Sequence, residues 1–414
     1  MGKIRRKNQK ARGLLIVLGY VLVIATSVYL VTGAATAAAP AEPPQTLVIG
    51  VSTSLSGPAA TWGMATYRGA QYAADDINAA GGLKAGGKTY KVKMVSYDNK
   101  FTSAGGAEVA RKLISDDKAI MLFAQATDAC FASLPITNAN KVIQLNICTG
   151  KDVNDPRYPY SFRAMDVDDL RAANLYKYVK ENLPQLKTIT YVAANNEMGR
   201  AIWLAEKTAA ERNGIKILGD GQFFERGTTD FSSIVGKMLA LNPDMLGITG
   251  LVDAERGLFK KQAYEQGWKG WFVSTAVETP QVVAKIAGEG YWKMPALVGI
   301  FDITDPSIPA NMVALGQRYI TEFKEVPPVH VVFGYDAITI YTKAVTLAGG
   351  TDPDKVKHVM ETQKFKTMYP NPVGFNGRKT FGYGHELYNP SFISRLDPDT
   401  KKLKMIAIME QVYE

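Results

Sequence analysis

Polar and aromatic residues suited to holding a small molecule follow six short apolar segments of this 414-residue chain. The segments have the length and composition of buried β-strands. In an open parallel α/β sheet, ligands bind at the edge formed by the carboxyl ends of the strands. The residues that follow the segments are 54–62, 125–129, 148–150, 195–199, 250–253 and 275–278. Hydroxyls, backbone amides and aromatic rings at such an edge predict a binding site, and the helix that opens near residue 127 favours an anion.

Catalytic chemistry is not expected. The sequence contains no Gly-x-Ser-x-Gly nucleophile elbow and no His-Glu-x-x-His zinc helix. Gly57 and Gly63, in the first strand-to-helix turn, do not match the three-glycine dinucleotide fingerprint. We expect no phosphate-cradling loop and no cofactor, and therefore a binding protein, with a hydrolase as the weaker alternative.

The two cysteines, Cys130 and Cys148, both lie in the body of the chain. In an exported protein we predict a disulfide between them, which would stabilise the fold by about 3 kcal/mol. Two separate buried thiols are the alternative, because the sequence does not give the Cα separation that the bond needs. The three histidines are far apart in sequence and no Cys/His cluster has ligand spacing, so we expect no metal site.

Alternating strand and helix patterns would bring these edges together. Strands are predicted over 46–54, 90–97, 119–124, 142–147, 188–193, 216–223, 244–249 and 270–274. Helices are predicted over 64–80, 103–115, 129–140, 168–182, 197–213, 230–241 and 253–266. This alternation predicts two α/β lobes, each with a parallel sheet covered by helices on both faces. Two helices over 308–323 and 331–348 and a hairpin of 391–396 with 403–409 follow.

The composition is that of a globular protein large enough for two domains, with 46% hydrophobic and 21% charged residues. The formal net charge is +9, but six basic residues precede residue 13. Without those six, the net charge is +3. We therefore expect no nucleic-acid partner.

Residues 1–37 are predicted to direct export. A basic stretch is followed by an apolar run over 14–31 and by small residues that include Ala35-Thr-Ala37. This is the order of a secretory signal peptide. We expect 1–37 to be a cleaved signal, 38–45 a linker, and the body to be periplasmic or otherwise extracytoplasmic. The apolar run is also nearly long enough to span a bilayer, so an uncleaved membrane anchor is the alternative.

One pair of motifs resembles a known family. Leu55-Ser-Gly-Pro-Ala-Ala-Thr-Trp-Gly63, followed by Gly69-Ala-Gln-Tyr-Ala-Ala-Asp-Asp-Ile-Asn-Ala-Ala-Gly-Gly82, is similar to the opening of the branched-chain amino acid binding proteins. These are type I periplasmic solute-binding proteins of ABC importers. Weaker matches are Tyr97-Asp98, Asn196-Glu-Met-Gly199, Thr228-Thr-Asp-Phe-Ser232, Gly334-Tyr-Asp-Ala337 and the closing hairpin. The resemblance extends from Thr46 to the C-terminus.

The resemblance implies an α/β fold of two Rossmann-like lobes with parallel central sheets, joined by three crossovers. Lobe 1 would hold 46–165 and 300–391, and lobe 2 would hold 166–299 and 392–414. The ligand would lie in the cleft between them. The implied partners are a small-molecule ligand, either an amino acid or another small carboxylate, and an ABC permease in the membrane.

The resemblance also implies a set of ligand contacts. Thr127, Thr149 and Gly150, with Cys148 beside them, would hold a carboxylate. Trp62, Met198 and His330 would line the side-chain pocket. The family's acidic residue that pairs with a ligand ammonium falls at Ala276, with Glu278 two residues on and Asp253 as another candidate anion. Each contact also has a purely structural interpretation, such as helix capping for Asp253 or core packing for Met198.

The missing acid at Ala276 leaves two ligand classes open. If Glu278 does not reach the cleft, the site should reject free amino acids, because an unpaired buried charge is costly. The leading hypothesis is an importer receptor for an amino acid of branched-chain type. The alternatives are a receptor for an amine-free aromatic or aliphatic acid or amide, and a membrane-anchored ligand-sensing ectodomain.

Overall fold

The computed structural model describes residues 43–410, without the side chains of Lys151 and Thr380. The predicted signal peptide over 1–37 lies outside the described residues. So does most of the predicted linker over 38–45, whose last residue, Gln45, already belongs to the first strand. Within residues 43–410, no helix is long and apolar enough to cross a membrane.

The first sheet has six strands in the order β2-β3-β1-β4-β5-β6, and all its pairs are parallel except β2 with β3. Its strands are β1 Gln45–Thr53, β2 Leu83–Ala85, β3 Lys88–Asp98, β4 Met121–Gln125, β5 Ile143–Ile147 and β6 Ser161–Arg163. Its helices are α1 Ala60–Ala79, α2 Ser103–Ser115 and α3 Thr127–Ala139. Every residue of β4 and β5 is buried, as expected for central strands covered on both faces.

The second sheet has eight strands in the order β17-β16-β12-β11-β10-β7-β8, with β9 also paired to β7. The first of them are β7 Thr188–Ala194, β8 Lys216–Ile217, β9 Gln222–Phe224, β10 Met245–Thr249, β11 Trp271–Ser274 and β12 Ala296–Val298. The helices between them are α4 Asp168–Asn182, α5 Glu197–Arg212, α6 Ser232–Leu239, α7 Asp253–Glu265, α8 Pro280–Ala287 and α9 Gly290–Lys293. The alternating parallel architecture that the sequence predicts is therefore confirmed.

The last hundred residues cover the first sheet with a helix and extend the second sheet with a hairpin. Helices α10 Ala310–Phe323, α11 His330–Ala348 and α12 Pro353–Thr362 come first. A small antiparallel sheet follows, with β13 Lys364–Phe365, β14 Val373–Asn376 and β15 Glu386–Tyr388, and helix α13 Arg378–Phe381. The chain ends on β16 Ser391–Asp397 and β17 Lys402–Met409, which pair antiparallel. Helix α11 packs on α1, beside the first sheet, whereas the closing hairpin extends the second sheet. The lobe limits given above remain a prediction.

Two elements differ from the predicted pattern because of glycines. Helix α1 begins at Ala60, four residues before the predicted start, and it includes Gly63. A Cβ at Gly63 would lie 1.8 Å from the carbonyl oxygen of Ser54, so this glycine allows close packing and does not end the helix. The strand predicted over 216–223 is divided into β8 and β9, because Gly219 and Gly221 between them have φ of +69° and +81°.

The prediction of no phosphate-cradling loop overlooked residues 82–89, Gly-Leu-Lys-Ala-Gly-Gly-Lys-Thr, which have the spacing of such a loop, Gly-x-x-x-x-Gly-Lys-Ser/Thr. That motif requires a loop between a strand and the helix that follows it. Here the residues form the β2–β3 hairpin, which turns at Gly86 and Gly87. The local fold therefore excludes a phosphate cradle at the one place where the spacing occurs.

Candidate functional site

A cavity of about 50 Å³ lies between the carboxyl-end loops of the two main sheets. Its polar wall is formed by Gln125, Thr127, Thr149, Asp168, Arg171 and His330. Its apolar wall is formed by Trp62, Phe101, Ile147, Met165, Met198 and Ile202. Smaller side chains complete the lining, including Cys148 and Ala276. Of the predicted site residues, only Gly150, Asp253 and Glu278 do not line this cavity.

Two threonine hydroxyls meet on the polar wall. Thr127 is the first residue of α3, and Thr149 follows β5. Their Oγ1 atoms are 3.0 Å apart, and the backbone N–H of Thr149 donates to Thr127 Oγ1 at 3.1 Å. One of the two hydroxyls therefore donates its hydrogen bond to the other. The O–H of the accepting threonine is left to donate to another group. Beside them, the first turn of α3 carries N–H groups without intrahelical acceptors, which suits an anion.

Trp62 and His330 form the aromatic side of the cavity. Their rings stack with centroids 5.2 Å apart and planes 18° from parallel. Burial, followed by the nearby Arg171 charge, lowers the pKa of His330 to about 3, so the imidazole is neutral. Its Nδ1 has no hydrogen-bond partner among the described residues. The site therefore offers a flat apolar surface with one neutral polar edge.

Asp166, Asp168 and Arg171 form a buried charged cluster at the start of α4. Asp166 accepts two hydrogen bonds from the Arg171 guanidinium, at 2.8 and 2.6 Å, and Arg171 also donates to the Thr275 carbonyl at 2.9 Å. Asp168 Oδ1 lies 3.9 Å from Arg171 Nη1, which is too far for a hydrogen bond. Both carboxylate oxygens of Asp168 are buried and accept no hydrogen bond from any residue in the described part of the chain.

Glu278 corrects a sequence-based prediction. Its carboxylate accepts from Lys260 Nζ at 2.7 Å, from Arg256 Nη1 at 3.2 Å and from the Tyr291 hydroxyl. Burial alone would raise the pKa of Glu278, but the two cations outweigh it and lower that pKa. Glu278 is thus held in a buried ion-pair network and does not line the cavity.

Asp253 and Gly150 also do not line the cavity. Asp253 begins α7 and accepts hydrogen bonds from Trp62 Nε1 at 3.2 Å and from the Thr279 backbone N–H at 3.0 Å. Each of its oxygens therefore has one protein donor, and Asp253 fixes the Trp62 ring from across the cleft. The Gly150 carbonyl accepts a hydrogen bond from Arg163 at 2.6 Å, and Gly150 does not line the cavity.

The predicted disulfide is not formed. Cys130 and Cys148 are free thiols, and both are buried. Burial and a hydrogen bond with Cys148 raise the pKa of Cys130. Both effects keep that thiol protonated, and a protonated thiol is a poor nucleophile for disulfide exchange. The alternative of two buried thiols therefore describes the structure.

The sequence analysis missed Asp168 and Arg171 as lining residues. The sequence places them in the first turn of a predicted helix, where an acidic residue is ordinary helix capping. A positional signal was nonetheless present. Asp166-Val-Asp168 lies where the chain passes from β6 of the first sheet to α4 beside the second sheet, and such a crossing borders the cleft.

Comparisons with known proteins bear on the family and the fold of this chain. The sequence profile described as periplasmic binding protein matches residues 46–402. An amino acid binding protein from Pseudomonas aeruginosa is 27% identical over 328 residues, which are 78% of this chain and 84% of the relative.

Two solved structures have a similar fold. A branched-chain amino acid transporter substrate binding protein from Streptococcus pneumoniae, in complex with isoleucine, has a TM-score of 0.72 and 21% identity, and the match covers 87% of this chain and 99% of that one. A solute binding protein of an ABC transporter from R. palustris, in complex with benzoate, has a TM-score of 0.74 and 16% identity, covering 89% and 98% of the two chains. The predicted type I periplasmic binding protein fold is confirmed by these likenesses.

Proposed function

Because this chain belongs to the periplasmic binding protein family, we propose that it is the extracytoplasmic substrate-binding component of an ABC importer. It captures a small carboxylate-bearing solute between its two lobes and delivers that solute to a membrane permease. The leading ligand is an amino acid of branched-chain type. The ligand is released unchanged, so we expect no turnover of bound solute.

The observation that carries this proposal is the threonine pair in the cavity wall. Thr127 and Thr149 are 1% and 7% exposed, and their hydroxyls converge beside the first turn of α3. Hydroxyl donors and free backbone N–H groups at a helix start match the acceptor oxygens of a carboxylate. Apolar walls opposite them suit the uncharged remainder of a small acid.

Several observations bear on the class of acid. The relative from P. aeruginosa is named for amino acids, and the S. pneumoniae structure holds isoleucine, which favour an amino acid here. The R. palustris structure holds benzoate, and Ala276 stands where the resemblance expects an acid. The stacked Trp62 and His330 rings also suit an aromatic acid. An amine-free aromatic or aliphatic acid is therefore the second candidate.

Export is part of the proposal and has a direct test. We expect the N-terminal residue of the mature protein, determined by sequencing, to be Ala38, as cleavage after Ala37 requires. A mature chain that still begins at Met1 and fractionates with the membrane would support the anchored ectodomain.

The binding proposal is tested by a thermal-shift screen of the exported protein. The panel contains the twenty amino acids, short fatty acids, and benzoate with its hydroxylated derivatives. A ligand that binds only the folded state at 100 times its dissociation constant adds about 2.7 kcal/mol to stability. We expect a shift with at least one carboxylate. The absence of a thermal shift with every compound of the panel would contradict the proposal.

A pair of variants then tests the carboxylate contact. Thr149→Val removes the hydroxyl at nearly constant volume and should weaken binding of the identified ligand by about tenfold or more. Thr149→Ser keeps the hydroxyl and is the matched control, with affinity close to that of the wild type. Equal affinity of all three proteins would place the carboxylate elsewhere.

A further inference from the structure

We infer that Asp168 pairs with the ammonium group of the ligand and thereby selects α-amino acids, an inference that rests on the proposed function. Asp168 lines the same cavity as Thr127 and Thr149. A single α-amino acid can therefore place its carboxylate on the hydroxyls and its ammonium on Asp168.

The first argument is the state of the Asp168 carboxylate. The residue is 2% exposed, and neither oxygen accepts a hydrogen bond from the described residues. A buried ionised carboxylate has acceptor capacity for several donors, and leaving it unmet is costly. An ammonium group supplies three donors and one positive charge. It therefore satisfies both the hydrogen bonding and the charge of Asp168.

The second argument is the charge balance of the cavity wall. Arg171 is already committed to Asp166 through two hydrogen bonds, so the cluster of Asp166, Asp168 and Arg171 carries one uncompensated negative charge. Arg163, the next cation, is matched by Glu386 at 2.5 Å. The wall around Asp168 is thus prepared for a cation and not for a second anion.

The third argument is that the other candidate acids already have protein partners and do not line the cavity. Glu278 is paired with Lys260 and Arg256, and both oxygens of Asp253 accept hydrogen bonds from protein donors. Ala276 lines the cavity but carries no charge. Asp168 is therefore the acid in the cavity lining that has acceptor oxygens free.

The ligand's side chain follows from the rest of the wall. Trp62, Phe101, Met165 and Met198 are aromatic or thioether side chains that line the same cavity. Such surfaces favour an apolar side chain and penalise a charged one. The class of ligand is therefore an α-amino acid with an aliphatic or aromatic side chain.

The test compares matched ligands in two variants of the full exported protein. Calorimetry measures the affinity for leucine and for 4-methylpentanoate, which is leucine without its amine. Asp168→Asn removes the charge and keeps the shape, and should weaken leucine binding by about 30-fold or more, while 4-methylpentanoate changes by less than about threefold. Asp169→Asn removes the neighbouring, exposed carboxylate and should change neither affinity.

The outcomes separate this inference from the proposed function. Leucine affinity that is unchanged in Asp168→Asn overturns the role of Asp168 and leaves the importer function intact. So does a wild type that binds 4-methylpentanoate or benzoate but no amino acid. A wild type that binds no small carboxylate overturns both.

Unfolding of the ligand-free proteins provides a readout that a structural role would not give. An uncompensated buried charge destabilises the fold, so Asp168→Asn should have a higher unfolding temperature than the wild type while binding leucine less well. If ligand-free Asp168→Asn has a lower unfolding temperature than the wild type, then Asp168 stabilises the fold and the inference is wrong.

Discussion

Two buried acids near the cavity show why residue type alone did not identify the site. Glu278 and Asp168 are both almost fully buried carboxylates. Glu278 has two cations and a hydroxyl within hydrogen-bonding distance, whereas Asp168 has one guanidinium at 3.9 Å. Burial raises the pKa of Asp168 to about 6, although Arg171 and Arg163 oppose this. The matched acid stabilises the fold, and the unmatched acid is suited to a ligand.

Glu278→Gln should destabilise the protein without changing which ligands it selects. The substitution leaves Lys260 and Arg256 buried without a counter-charge, which costs about 3–5 kcal/mol. Urea unfolding monitored by circular dichroism measures this cost, and the exposed Glu265→Gln should change stability by less than about 0.5 kcal/mol. Loss of amino acid binding with unchanged stability would instead make Glu278 the ammonium partner.

Ligand affinity should depend on pH for amino acids but should not fall at low pH for amine-free acids. Asp168 must be ionised to hold an ammonium, and it gains a proton as pH falls through its pKa of about 6. Leucine affinity should therefore be highest above about pH 7 and about tenfold weaker near pH 5. A protonated Asp168 donates to a carboxylate, so 4-methylpentanoate should bind no more weakly near pH 5.5 than near pH 7.5.

Calorimetry over this pH range distinguishes the two outcomes. The groups around Asp168 that also carry charge or titrate are Arg163, Asp166, Asp169, Arg171 and His330. The arginines stay charged throughout, and the His330 pKa of about 3 keeps the imidazole neutral. A leucine affinity that is independent of pH would show that Asp168 does not hold the amine.

The sequence predicted only part of the site for a physical reason. Thr127, Thr149 and Trp62 lie where strand ends and family motifs direct attention, and the structure places all three in the cavity. Burial and pairing, in contrast, depend on which side chains the fold brings together. Glu278 and Lys260 are 18 residues apart, and Asp253 meets Trp62 across 191 residues. Spacing along the chain does not reveal such pairs.

At the scale of elements, helices α1 and α11 pack closely through glycines. A Cβ at Gly334, in α11, would lie 2.2 Å from the Thr66 carbonyl oxygen in α1, and a Cβ at Gly69 would lie 2.0 Å from the Val331 carbonyl oxygen. Both contacts are to backbone, which cannot rotate away. This packing positions the helix starts that carry Trp62 and His330 beside the cavity.

Gly334→Ala should therefore force the two helices apart. We expect a loss of about 2–4 kcal/mol in unfolding free energy, measured by urea denaturation, together with weaker ligand binding. Gly236→Ala in α6 is the control, because a Cβ there meets only the Gln266 side chain at 3.5 Å. Alanine's higher helix propensity should make that variant equally or more stable. A Gly334→Ala protein as stable as the wild type would contradict the proposed packing constraint.

Most elements could be predicted because each carries its own local signal. Helices α2 and α4 match the predicted bounds, since Thr102 caps the first by accepting from Gly105 N–H and a hydrophobic period marks the second. The short strands β2, β6, β12 and β13–β15 were missed. Segments of two to four residues contain too little pattern to be recognised, and their pairing is decided by the tertiary fold.

At the scale of the whole molecule, the arrangement suits a receptor that closes on its ligand. Trp62 packs beside the first sheet and donates across the cleft to Asp253, at the start of a helix of the second sheet. Asn196 donates to Asp128 between the same two sides at 3.2 Å. A ligand held by Thr127 and Thr149 on one side and by Asp168 on the other would add to these contacts and favour the closed form.

The most direct test of the account is a crystal structure of the protein with the carboxylate that gives the largest thermal shift. We predict that the ligand lies in the cavity, with its carboxylate oxygens within about 3 Å of Thr127 Oγ1 and Thr149 Oγ1. For an amino acid, the amine would lie at the same distance from Asp168. A ligand bound outside this cavity, or one whose carboxylate faces away from both threonines, would contradict the central claim.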